Sequence, residues 1–119
     1  MRPVTIVAAT RNGGTMPGPT KLDEAEIGTR MAALPGWTRK GEAIVRAFTF
    51  RAFADGIRFV DRVAVLADAA DHHPDIDIRW TTVTMALSTH SAGGLTAKDF
   101  DLAARIDAAA DRPLSSSGG

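Results

Sequence analysis

Between residues 43 and 87 the hydrophobic pattern changes its period twice, and this change constrains the fold more than any other feature of the sequence. Between residues 43 and 50 apolar side chains recur at every second position, as in a half-buried strand. From Phe53 to Ala70 they recur in steps of three and four, as on one face of a helix. After Pro74 the period returns to two. Such a chain is predicted to pack a helix against a sheet.

The segment Phe53–Ala70 is the strongest predicted helix. Its first apolar stripe comprises Phe53, Ile57, Val60, Ala64 and Ala67, and four further positions widen it: Phe59, Val63, Leu66 and Ala70. A face this broad is expected to cover a sheet.

Two shorter helices are predicted from their start signals. Asp23 and Glu26 have the spacing of a capping box at the beginning of a first helix, which Pro35-Gly36 ends. Thr96 and Asp99 have the same spacing before the last helix, with Asp in place of the usual Glu. The apolar positions of the first helix are Ile27, Met31 and Leu34, and those of the last are Phe100, Ala103, Ile106 and Ala110.

Four strands are predicted around the central helix. The first begins near Trp37, and a turn at Gly41-Glu42 leads into the second, which covers residues 43–50. The alternating positions Ile76, Ile78 and Trp80 indicate a third strand, and Val83, Met85 and Leu87 indicate a fourth on the opposite parity. The phase change at Thr81-Thr82 predicts a tight hairpin, with a β-bulge as the alternative.

These elements predict an α+β fold of order α-β-β-α-β-β-α, with three helices on one face of a four-stranded antiparallel sheet. The folded domain is expected over residues 21–112. Residues 1–20 are rich in Gly and Pro and are predicted to be a flexible leader, within which Met16 is an alternative start. Residues 113–119 are predicted to be a disordered tail.

Composition excludes several functional classes. The formal net charge is zero, which gives no reason to expect direct binding to nucleic acid or to an anionic membrane. The chain has no cysteine, so thiolate catalysis and cysteine-based zinc sites are excluded. No apolar run is long enough for a membrane span, and a cytoplasmic location is expected.

The candidate functional residues are the three histidines. His72 and His73 follow the long helix and His90 follows the last strand, so pairing of the last two strands would bring His90 towards the pair. Histidine exchanges protons near neutral pH, which suits general acid and base catalysis. A purely structural role is the alternative. A metal site is disfavoured because adjacent histidines in an extended segment point to opposite sides and no H-E-x-x-H spacing is present.

The residues around these histidines resemble the pattern of the pterin-4a-carbinolamine dehydratases. The matching positions are Asp68, His72-His73-Pro74, Trp80, Thr89-His90, Gly94-Leu95-Thr96 and Asp99, with Leu34-Pro35-Gly36-Trp37, Phe48, Phe50 and Phe53 earlier in the chain. Asp68 departs from the family, in which Glu is most common at this position. The resemblance covers approximately residues 22–106.

The resemblance implies dehydration of a 4a-hydroxytetrahydropterin to a quinonoid dihydropterin, in tetrahydrobiopterin recycling and without a metal or cofactor. His72, His73 and His90 correspond to the family's catalytic histidines, with His73 and His90 expected to transfer protons and His72 to contact the pterin. The resemblance further implies substrate contacts by Asp68, Asp99, Trp37 and Pro74.

The resemblance also implies a homodimer, or a tetramer as some relatives form. An alternative function is that of a non-catalytic binding or assembly module, similar to the family members that act as dimerisation cofactors of a transcription factor.

Overall fold

A computed structural model of the protein describes residues 20–112, so the predicted leader and tail lie outside the described residues except for Thr20. The elements are α1 (Glu24–Ala32), β1 (Thr38–Lys40), β2 (Ala43–Thr49), α2 (Phe53–Ala70), β3 (Asp75–Arg79), β4 (Thr82–Leu87) and α3 (Ala97–Asp111), with one turn of 3-10 helix at His90–Ala92. The predicted α+β fold and its element order are confirmed. Within residues 20–112, none of the helices has the length and apolar character required to cross a membrane.

The four strands form one antiparallel sheet in the order β1-β2-β4-β3. Ile44 of β2 lies opposite Leu87 of β4, and Asp75 of β3 lies opposite Ala86. Because neighbouring strands run in opposite directions, the beginnings of β2 and β3 meet the end of β4 at one end of the sheet. The candidate histidines are therefore brought to this end.

One face of the sheet is buried beneath the helices. The strands contribute Ile44, Phe48, Val83, Met85 and Leu87 to the core, and the helices contribute Ile27, Phe59, Val63, Phe100, Leu102 and Ile106. Successive strand residues point to opposite faces, so Ala86 and Ser88 lie on the open face while Leu87 and Thr89 point towards the helices.

The buried stripe of α2 differs from the first stripe predicted. Gly56, Phe59, Val63 and Ala67 are buried, whereas Phe53 is half-exposed. The absence of a side chain at Gly56 explains the difference, because a Cβ there would lie only 3.3 Å from Cγ2 of Val83. The helix therefore approaches β4 along its Gly56 side, and two of the widening positions, Phe59 and Val63, form the core together with Ala67 of the first stripe.

The phase change between β3 and β4 is a tight hairpin, as predicted. Arg79 pairs with Thr82, which leaves Trp80 and Thr81 as a two-residue loop and reverses the parity of the following strand. The prediction that Trp80 belongs to the strand is wrong. Trp80 has a left-handed φ of 52° and an exposed side chain, because the tight loop requires positive φ at this position.

Candidate active site

A cavity of about 350 Å³ opens at the end of the sheet where β2 and β3 begin and β4 ends. Its lining combines two imidazoles, two carboxylates and a hydroxyl with small residues: His73, His90, Glu42, Asp75, Ser88, Ala43, Ala86, Gly93 and Gly94. Two imidazoles, side chains that commonly serve as general acids and bases, therefore share one open concave site.

His73 is placed in the cavity by the way α2 ends. Asp71 takes a left-handed conformation, with φ 50° and ψ 45°, and its N–H closes the last turn of the helix on Ala67 and Asp68. The chain then runs extended into β3, and Pro74 restricts the backbone of His73 to this conformation. Nε2 of His73 lies 2.9 Å from Oδ1 of Asp68, so the carboxylate of Asp68 orients the ring from the last turn of α2.

His72 points to the opposite side, as expected for adjacent residues of an extended segment. Its side chain is buried, and Nε2 lies 2.6 Å from Oδ1 of Asp99, which is fully buried. Asp99 also accepts a hydrogen bond from the backbone N–H of Thr96 and thereby completes the predicted capping box of α3. The cap and the histidine contact are thus made by the same carboxylate.

His90 is held by a short closed loop. The backbones of Thr89 and Gly94 form an antiparallel bridge, with N···O distances of 3.1 and 3.3 Å in the two directions. Between them the 3-10 turn begins at His90 and ends at Gly93, whose φ of 77° favours glycine. This bridge holds His90 beside the last residues of β4.

Sequence reasoning missed three polar residues of the cavity, namely Glu42, Asp75 and Ser88. A signal was available for Ser88, because alternation along β4 places it on the face opposite Leu87. Glu42 lies in the predicted turn between β1 and β2, and no local pattern distinguished it from a solvated turn residue. In the structure Glu42 lies close to Gly94, where a Cβ would come within 2.7 Å of Oε1 of Glu42.

The remaining predicted site residues lie around the cavity or in the core. Trp37 is buried, donates from Nε1 to Oδ1 of Asp107 at 2.9 Å and packs edge-on against Phe48. Pro74 is partly buried and precedes β3. Among residues 20–112, no group of three or more His, Cys, Asp or Glu side chains is arranged to hold a metal ion.

Comparisons with known proteins identify the family of this chain. The family model described as pterin 4 alpha carbinolamine dehydratase matches residues 20–109. A protein of Roseiflexus castenholzii, provisionally named a pterin-4-alpha-carbinolamine dehydratase, is 60% identical over 86 residues, which are 72% of this chain and 92% of the relative. A protein of Mycobacteroides abscessus with the same provisional name is 58% identical over 86 residues, 72% of this chain and 92% of that protein.

Two solved structures share the fold. A crystal structure from Brucella melitensis, described as a transcriptional coactivator/pterin dehydratase, superimposes with a TM-score of 0.74 at 34% identity and covers 76% of this chain and 99% of its own. A pterin dehydratase-like protein, described as a RuBisCO assembly factor in the alpha-carboxysome, gives a TM-score of 0.53 at 27% identity over 65% of this chain and 89% of its own. Because the family model matches residues 20–109, which include the first six helices and strands in full and most of α3, the chain belongs to the pterin 4 alpha carbinolamine dehydratase family.

Proposed function

We propose that this protein dehydrates 4a-hydroxytetrahydropterins to quinonoid dihydropterins, in the recycling of tetrahydrobiopterin or a related pterin. The single observation that carries this proposal is the shared cavity of His73 and His90 in a chain of this family. In the reaction the C4a–O bond breaks, the hydroxyl leaves as water and the proton of N5 is removed. An acid and a base facing one cavity are what this elimination requires.

His73 and His90 are the residues we assign to these proton transfers. One protonated imidazole donates to the leaving hydroxyl, while the other, neutral, accepts the proton from N5. After one turnover the two rings have exchanged protonation states, and the open cavity lets them re-equilibrate with water. Asp68 assists by holding the ring of His73 through its 2.9 Å contact, which limits the orientations that the ring can take.

Pterin recognition is assigned to the two carboxylates that line the cavity. The pyrimidine edge of a pterin presents N3–H and an amino group as neighbouring donors, and a carboxylate accepts two such bonds together. Glu42 and Asp75 are suitably placed in the lining. The contacts of Asp99 and Trp37 with His72 and Asp107 favour supporting roles for these two residues over the direct substrate contact that the family resemblance implies.

The test is an assay of quinonoid dihydropterin formation from freshly generated carbinolamine. We expect His73→Ala and His90→Ala each to reduce kcat by about 100-fold or more. Lys40→Ala provides a control, because Lys40 is exposed at the same end of the sheet. Wild-type activity no greater than that of buffer would contradict the proposed function. Full activity in both histidine variants would contradict only the assignment of roles.

A non-catalytic assembly role is the second candidate, and the observation that favours it is the structural likeness to the pterin dehydratase-like assembly factor. The retained cavity with two histidines favours catalysis. The assay described above also separates these candidates, because an assembly module needs no turnover of carbinolamine.

For the oligomeric state, we propose a homodimer formed through the edge strand β3. All five residues of β3 are exposed, including Ile76 at 39% and Ile78 at 40%, and β3 is the last strand of the sheet. An exposed strand edge with apolar side chains is a template for pairing with a second chain. Two antiparallel copies of β3 can bring Asp77 opposite Arg79 and Ile78 opposite itself, which joins opposite charges and apolar groups.

Light scattering coupled to size-exclusion chromatography tests the dimer. The wild type is expected at twice the chain mass, and Ile78→Lys is expected to be monomeric with its fold retained by circular dichroism. Thr29→Lys on α1 adds the same charge away from the edge and serves as the control. A monomeric wild type, or an Ile78→Lys variant that remains dimeric, would contradict this interface.

A further inference from the structure

The fully buried carboxylate of Asp99 lies within hydrogen-bond distance of polar groups from three separate parts of the chain. His72, after α2, contacts Oδ1 at 2.6 Å. Thr89, after β4, donates from its hydroxyl to Oδ2 at 2.8 Å, and the N–H of Thr96 at the start of α3 donates to Oδ2 at 2.9 Å. Three polar partners in fixed directions leave the carboxylate a single orientation, and an unpaired carboxylate at this depth would be strongly disfavoured.

The direction of each bond in this network follows from counting protons. The N–H of Lys98 can only donate, so Oγ1 of Thr96 accepts from it at 3.2 Å. Each hydroxyl carries one proton. Since the proton of Thr89 is directed to Asp99, the 2.8 Å contact between the two hydroxyls is a bond donated by Thr96 to Thr89. The chain of donors therefore runs from Lys98 through Thr96 and Thr89 and ends at Asp99.

The two hydrogen bonds that Asp99 accepts at the end of this series of donors determine which nitrogen of His72 carries the proton. A carboxylate that already accepts from Thr89 and Thr96 has only lone pairs to offer, so Nε2 of His72 must be the donor. Within residues 20–112 the other ring nitrogen, Nδ1, has no hydrogen-bond partner. We propose that Thr89 is a positioning residue, whose hydroxyl aims Asp99 at His72 and so keeps Nδ1 as the nitrogen that can accept or give up a proton.

The backbone of Thr89 extends this role to the cavity itself. Its N–H and C=O bridge to Gly94 and close the loop that carries His90, while its chain neighbour Ser88 also lines the cavity. His72 is likewise the chain neighbour of His73. Thr89 thus connects the segments that carry all three histidines. This inference rests on the proposed function only for its effect on turnover, because the state of the His72 ring can be measured without a reaction.

The experiment compares Thr89→Val, which replaces the hydroxyl by a methyl of similar size, with Thr89→Ser, which keeps the hydroxyl. Thr84→Val makes the same chemical change on the open face of β4 and serves as the control. The readout is the ¹⁵N NMR pattern of the imidazoles, which distinguishes the two neutral tautomers. The chain has only three histidines, so the signals can be assigned from single His→Gln variants.

We expect His72 in the wild type, Thr89→Ser and Thr84→Val to show the tautomer protonated at Nε2, and Thr89→Val to show a mixture. We also expect kcat of Thr89→Val to fall about tenfold with KM little changed, at the lower end of the roughly 10- to 100-fold losses that follow replacement of residues that orient metal-bound histidines. If Thr89→Val does not fold, Thr89→Ala removes the hydroxyl without adding a methyl to a packed site.

An unchanged His72 pattern in the variants without the hydroxyl would overturn the inference, as would a Thr89→Ser variant that behaves like Thr89→Val. An inactive wild type in which the ring still responds to Thr89 would instead contradict the proposed dehydratase function and leave the positioning role intact. The two proposals can therefore fail separately.

Discussion

His72 and His73 are adjacent in the chain, and each contacts one aspartate, but the two pairs lie in opposite environments. In the His72–Asp99 pair the side chains are 10% and 0% exposed, and in the His73–Asp68 pair they are 58% and 80% exposed. The extended backbone after α2 causes the difference, because it turns successive side chains to opposite sides. One pair therefore belongs to the core and the other to the cavity.

The comparison separates what each pair contributes. A buried pair has lost its water, so each member depends on the other and removal of one leaves an uncompensated polar group. An exposed pair is solvated in any case and adds little stability. Exposure, however, leaves His73 free to exchange protons with a ligand and with water. His72 therefore contributes to the rigidity of the core, whereas His73 is available for chemistry in the cavity.

The largest expected difference is between removal of the two aspartates. Asp99→Ala is expected to lower the free energy of unfolding by about 3 kcal/mol or more, because it strands His72 and removes the Asp99 half of the capping box of α3. Asp68→Ala is expected to change it by less than about 1 kcal/mol. Urea denaturation measures both values, provided that the dependence of the unfolding free energy on urea concentration is the same in wild type and variants. Equal losses in the two variants would show that burial does not distinguish the pairs.

Replacement of the histidines is expected to give a smaller contrast. His72→Gln should cost about 1–3 kcal/mol, since a glutamine amide satisfies Asp99 imperfectly, whereas His73→Gln should stay within about 0.5 kcal/mol of the wild type. The same pair of variants separates stability from turnover, because His73→Gln should lose catalysis while it keeps its fold. A His73→Gln variant as destabilised as His72→Gln would place His73 in the structural network instead.

The sequence predicted the elements well because period and caps are local signals. The span of α2 and the capping box formed by Thr96 and Asp99 follow from positions three or four residues apart. The predicted face of α2 included the buried Phe59, Val63 and Ala67, but the burial of Gly56 instead of Phe53 did not follow. It depends on the close approach of Gly56 to Val83, which lies in another element. The prediction that Trp80 belongs to β3 was wrong because a two-residue loop adds no polar or glycine-rich segment that would mark the end of the alternating pattern.

The site was predictable to the extent that the pairing of the strands determines which strand ends lie side by side. Pairing of β3 with β4 brings His90 towards His73, as expected from the order of the strands. The contact of His72 with Asp99 was not predictable, since Asp99 lies 27 positions away in sequence and meets His72 only through packing. Thr89 joins this network through its hydrogen bond to Asp99. The position of Glu42 in the cavity was not predicted either, because its neighbours there, such as His73 and His90, are also distant from it in sequence.

The smallest expected effect concerns the ion pair of Glu24 with Arg39. Its carboxylate is as exposed to solvent as that of Asp68, so this pair is also expected to contribute little stability. Arg39 donates to Glu24 from Nη1 and Nη2 at 2.5 and 3.0 Å, and this contact lowers the pKa of Glu24. A carboxylate whose pKa is lowered by folding stabilises the protein above its unfolded pKa, and this contribution is lost as the pH falls through the folded pKa. Wild type should therefore be slightly more stable than Glu24→Gln at pH 7, with the difference shrinking as the pH falls below about 4.5.

Salt at about 1 M should also reduce the stability difference between wild type and Glu24→Gln, because the Debye length is then only about 3 Å. Urea denaturation of both proteins at several pH values checks the sign. A difference that grows towards acid pH would contradict the assignment of Glu24 as a weakly stabilising, solvated partner.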